Sequence, residues 1–159
     1  MARGDGGIGQ QELRRLAAGL FNRVWELLDL PERSRDEDDE MIHAAHASRY
    51  LWGRVGTAAN LVRGEWQCAR VYSTLGRAEP ALWHARRCLE LAEAADPAEL
   101  ADFDLPGAYE GLARAHAVAG DRDAARRWLE RAREATREVA EEDDREVLVA
   151  DLDQTTRLI

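Results

Sequence analysis

Between Gln11 and Leu30 the apolar residues Leu13, Leu16, Leu20, Val24, Leu27 and Leu28 recur at three- and four-residue steps, which predicts an amphipathic helix ended by Pro31. "SRDE", Ser34 to Glu37, fits a capping box in which hydroxyl and carboxylate each satisfy an orphan backbone donor, so a second helix is expected over 35–53. Thr57 is the cap expected for a third helix through Leu75, and "LGRAEP" turns the chain into a fourth, over 78–95. A loop holding Asp96, Pro97 and "DFDLP" follows. Asp104 as cap and Pro106 in the first turn open a fifth helix to Ala119. "AGDRD" leads into a sixth over 122–140, and "DDRE", Asp143 to Glu146, starts a short terminal helix. Strand signals are nearly absent, so the pattern predicts an all-α chain of seven helices.

Composition narrows this picture. The 159 residues, 45% of them hydrophobic, suffice for one buried core and not for two ordinary domains. One domain over 11–159 is therefore expected, after a Gly-rich, disordered 1–10. A net charge of -9 argues against general nucleic-acid binding, which needs a basic face. No apolar run approaches the roughly 20 residues that cross a bilayer, and "MARGDGGIGQ" lacks the apolar core of a signal peptide. A soluble, cytoplasmic protein without membrane partners is the expectation. Cys68 and Cys88 sit within apolar helical patterns, where free thiols behave as small hydrophobes.

The chain also repeats itself. "CARVYSTLGRAEPALWHARRCLEL" from Cys68 and "LARAHAVAGDRDAARRWLERARE" from Leu112 align at one constant offset, pairing Ala69 with Ala113, Arg70 with Arg114, Gly76 with Gly120, Ala81 with Ala125 and Cys88 with Ala132. The first unit carries Ala69, Tyr72, Leu75, Gly76, Ala81 and Cys88; the second carries Tyr109, Leu112, Ala113, His116, Gly120, Ala125 and Ala132. These segments resemble the tetratricopeptide repeat (TPR) family over about half the chain, with units near 61–95 and 107–140. The offset from Gly76 to Gly120 is 44 residues where the family period is about 34, so the connecting loop is about ten residues longer. The resemblance implies antiparallel α-α hairpins stacked as a short right-handed superhelix, with extra helices at both ends.

One cluster of residues invites a chemical reading. On a helix over 35–53, Asp39, His43, His46 and Tyr50 form a continuous stripe. Glu65, in line with Leu61, Cys68 and Tyr72, falls on the packed side of the third helix, where a carboxylate needs a partner that His43, His46 or Arg49 could supply. The first reading is a buried polar link that fixes helix register. The alternatives are a zinc or iron site on Asp39, His43, His46 and Glu65, or a metal-free acid-base pair, in a small helical metalloprotein or enzyme. A lone HxxH without HExxH or paired ExxH is a weak metal signal. "DEDDE" lacks the alternation and glycine of an EF-hand, and no phosphate-binding glycine loop, nucleophile elbow or CxxC pair occurs.

The TPR resemblance implies a second candidate site. In that family the first helix of each hairpin lines a concave groove, and the matching positions are Arg63, Trp66 and Arg70 in one unit and Glu110 and Arg114 in the other. Arginine forks suit carboxylates, so an acidic peptide or a free carboxyl terminus is the expected partner, unless the arginines pair with neighbouring acids. Trp25, Trp52, Trp83 and Trp128 read as core, while His84 and His116 are expected at helix contacts. The leading expectation is a non-enzymatic peptide- or protein-interaction module with no cofactor. A homo-oligomer stays open, because short helical arrays expose apolar ends.

Overall fold

A computed structural model describes residues 7–159. Its helices are α1 (Gln10–Leu28), α2 (Arg35–Val55), α3 (Ala58–Thr74), α4 (Ala78–Ala94), α5 (Asp104–Val118), α6 (Arg122–Arg137) and α7 (Glu142–Thr156), with one 3-10 turn at Pro97–Glu99. There is no strand among the described residues. Most of the expected disordered amino terminus, residues 1–6, lies outside the described residues; helix α1 begins at Gln10.

Local chemistry accounts for most boundaries. The capping box at the start of α2 is complete: Ser34 Oγ accepts from the Glu37 amide at 3.2 Å, and the Glu37 carboxylate accepts from the Ser34 amide at 2.7 Å. Asn60 closes the equivalent loop on Thr57 at the start of α3. The two aligned glycines end α3 and α5 with positive φ, 69° at Gly76 and 80° at Gly120, a conformation that costs a residue with a Cβ.

Consecutive helices pack against each other, and α1 also touches α3, α3 touches α5, and α5 touches α7. The odd-numbered helices thus form one layer and the even-numbered helices the other. Small residues allow close approach: Ala69, Ala81, Ala85 and Ala115 pack around Leu112, and Ala113 and Ala132 around Tyr109, Leu129 and Leu152. At the other end Val24, Leu27, Met41, Cys68 and Val71 bury α1 and α2 on α3. Two side chains tie α1 in by its backbone: Ser48 Oγ donates to Ala17 O at 2.8 Å and Gln67 Nε2 to Phe21 O at 2.9 Å.

Three expectations require correction. Asp104 is not the cap of α5 but its first helical residue, with Phe103 before it; its carboxylate accepts from the Ala101 amide at 2.8 Å. Helix α7 is not a short appendage but spans 15 residues and starts from a Glu141 cap. Trp83 is 65% exposed. It stands two residues from both Ala81 and Ala85, which are buried, and two residues turn a helix by about 200°. Both cysteines are free and buried, as their apolar patterns imply, and burial pushes their thiol pKa values up.

Candidate functional site

The histidine stripe divides on folding. Asp39, His43 and Tyr50 point to solvent, whereas His46 turns inward, its Nε2 standing 2.8 Å from the Tyr72 hydroxyl. Glu65 is 8% exposed and has two partners: Arg49 Nε at 3.0 Å, one of the partners expected, and His84 Nδ1 at 2.6 Å, donated from α4. Tyr72 stacks on His84, with ring centroids 5.7 Å apart, and the His46 ring meets the His84 edge at 5.2 Å. The alternative ligand set of Asp39, His43, His46 and Glu65 is therefore not brought together. No group of three or more His, Cys, Asp or Glu side chains converges on a cation-sized site among the described residues.

The electrostatics of this seam follow from burial. Burial alone would raise the Glu65 pKa; the hydrogen bond and charge of His84, with Arg49, outweigh it and hold the carboxyl below its ordinary value. His46 is lowered, chiefly by burial, with the nearby His84 acting in the same direction. Such a chain of polar groups between α2, α3 and α4 fixes their register, as a buried network does when every member finds a partner.

The groove residues separate differently. Glu110 is 1% exposed, and its Oε1 accepts from Arg114 Nε at 2.8 Å and from the Thr155 hydroxyl at 2.5 Å. Arg70 Nη2 approaches Glu110 Oε2 at 3.4 Å and pairs with Asp151 at 3.0 Å. Arg114 also donates to the Asp151 backbone carbonyl at 3.2 Å. Both arginines are only 8% exposed, because α7 lies beside α5 and brings Asp151 onto them and Thr155 onto Glu110. Burial raises the Asp151 carboxyl pKa, against the attraction of Arg70, and burial likewise lowers that of Arg114. Arg70, Glu110 and Arg114 are thus committed to an internal network and do not offer free groups to a ligand.

Arg63 and Trp66 remain at the surface of a cavity of about 280 Å³ on the odd-numbered layer. Its wall draws on four helices and the α4–α5 connection: Phe21 and Trp25 from α1, Arg63 and Trp66 from α3, Phe103 and Gly107 at α5, and Asp144, Val147 and Asp151 from α7. Trp25 and Trp66 pack with centroids 5.4 Å apart. Arg63 lies over the Phe103 ring at 4.9 Å and makes a two-pronged pair with Asp104, at 2.8 and 2.9 Å; Arg70 lies over Trp66 at 5.0 Å. The indole Nε1–H of Trp66 is buried with no hydrogen-bond partner among the described residues, a condition that costs about 1–3 kcal/mol.

The sequence pattern marks Trp25 as core and gives no sign that Phe21, Phe103, Asp144 and Asp151 meet it around a cavity. One signal pointed toward Phe103: the ten additional residues between the repeats include "DFD", and the longer connection is what sets Phe103 and Asp104 against Arg63. No family model and no curated protein sequence matches this chain.

Proposed function

We propose that this protein is a non-enzymatic interaction module, a TPR-like array of helical hairpins that seats an apolar side chain of a protein or peptide partner in the cavity between α1, α3, α5 and α7. The aromatic cavity carries this reading: four aromatic side chains, Phe21, Trp25, Trp66 and Phe103, line an unfilled space. A peptide fits this space, because it brings apolar side chains on a backbone whose polar groups stay at the wet rim. The repeat signature and the layer of odd-numbered helices support the same reading, since the resemblance implies binding on that layer.

Panning a displayed random peptide library on the protein tests this. A Gly107→Leu variant serves as the counter-target, because a side chain there enters the cavity and the nearest atom to an added Cβ, Trp66 Nε1, is 3.9 Å away. Peptides enriched on the wild type should fail to bind the variant while its helical circular dichroism stays intact. Recovery of nothing above background, or of peptides that bind both proteins equally, would refute the reading.

A further inference from the structure

Charge at the cavity distinguishes among the partners that such a module could take. An acidic partner was expected on account of Arg63, Arg70 and Arg114, yet each of these is matched by a carboxylate. Arg63 is held by both oxygens of Asp104, Arg114 by Glu110, and Arg70 by Asp151 with Glu110 behind it. Asp144, half-buried in the first turn of α7, lines the same cavity and belongs to none of these pairs. The lining therefore carries one carboxylate in excess, within a protein of net charge -9.

The aromatic lining favours the same sign. Two of its rings, Phe103 and Trp66, already hold guanidinium groups against their faces, which an aromatic quadrupole attracts. Long basic side chains suit such a place, because their methylene stems cover apolar surface while the charged head stays at the wet edge.

Resting on the interaction-module reading, we infer that the partner is a basic segment, in which an apolar residue packs against Phe21, Trp25 and Trp66 and an adjacent Lys or Arg pairs with Asp144. The protein's acidic total charge steers such a segment toward it. The internal arginines then serve to neutralise the buried carboxylates and leave Asp144 as the charge of the lining without an ion-pair partner among the described residues.

The test uses two dye-labelled peptide mixtures in a common Gly, Ser and Ala background, one containing apolar residues next to Lys or Arg, the other the same apolar residues next to Asp or Glu. Fluorescence anisotropy against the full chain should show tighter binding of the basic mixture, weakening with added salt. Asp144→Asn should weaken it by about two- to fivefold, the range of a half-exposed charge pair, and Asp144→Lys should shift preference to the acidic mixture. Tighter binding of the acidic mixture by the wild type, or equal binding insensitive to Asp144, overturns the charge inference and leaves the module reading in place. Failure of both mixtures to bind the folded protein overturns both. Sedimentation in the same buffer covers the remaining occupant: a dimer abolished by Gly107→Leu would place a second copy in the cavity and also overturn the inference.

Discussion

Trp66 with Arg70, and Glu110 with Arg114, stand at the same places in the two repeated hairpins, yet they have been put to different uses. In each pair the arginine lies one helical turn after its partner. In the first, Arg70 rests on an indole face at 5.0 Å; in the second, Arg114 donates to a carboxylate at 2.8 Å. The tryptophan leaves a cavity beside it, while the glutamate is enclosed by two arginines and Thr155. An aromatic ring satisfies a cation without needing compensation of its own, so space can remain next to it. A buried carboxylate cannot be left this way, because its desolvation requires that every side be occupied by donors.

The sharpest way to break this contrast is to remove the carboxylate. Glu110→Ala strips Arg114 of its shortest ion pair and Arg70 of its second, in a site closed by α7. Removing one member of a buried ion pair costs about 3–5 kcal/mol, a large share of the ~5–15 kcal/mol that holds a domain folded. Urea unfolding followed by circular dichroism should show that loss as a lower midpoint. A change below about 1 kcal/mol would mean that the network is screened by water like a surface pair.

A second position sharpens the comparison through pH. Tyr72 in the first unit corresponds to His116 in the second. The histidine is lowered below its ordinary pKa, first by burial, with the charges of Arg86 and Arg127 adding to it and that of Asp121 opposing. His46, the partner of Tyr72, is lowered as well. For both residues the folded chain favours the neutral ring, so as pH falls through about 6.5 the unfolded chain takes up protons first. Stability is then complete above that pH and declines below it, toward the lowered folded values. His116→Tyr, which makes the second unit match the first, should flatten part of that decline, and His46→Gln a further part. Unfolding midpoints at a series of pH values between 7.5 and 5 measure both. A stability that is unchanged or rises as pH falls across this interval would contradict the assignment.

How much of this was legible beforehand depended on the range of each interaction. Boundaries set by neighbours in sequence were readable: the Ser34–Glu37 box, the glycines at 76 and 120, and the alanines that let hairpins close. The position of Glu65 in its helix marks it as a buried carboxylate needing a partner, and Arg49 is within the reach that the sequence implies. The partnership with His84 is not legible, because the spacing that pairs α3 with α4 is a matter of helix packing rather than of local sequence. The fate of Arg70 and Arg114 was less accessible still. It rests on α7 crossing beside α5, and nothing in the repeat alignment foretells that Asp151 reaches both arginines and Thr155 the glutamate they share.

The smallest effect separates two glycines of α5 that face the same indole. A Cβ at Gly107 would lie 3.9 Å from Trp66 Nε1, an ordinary contact, whereas at Gly111 it would lie 3.3 Å from Trp66 Cδ1, which requires the ring to shift. Glycine within a helix costs about 0.5–1 kcal/mol relative to alanine. Gly107→Ala should accordingly raise stability by about 0.5 kcal/mol, and Gly111→Ala should gain nothing or lose about as much, since its helical gain is offset by displacement of a packed ring. Thermal unfolding of the two variants side by side decides the matter, and equal gains would mean that Trp66 is free to move. The expected ordering also bears on the cavity. If alanine at 107 stabilises the protein and at the same time weakens peptide capture, the glycine maintains room beside Trp66 at the expense of stability, as a binding site requires and a purely structural helix contact does not.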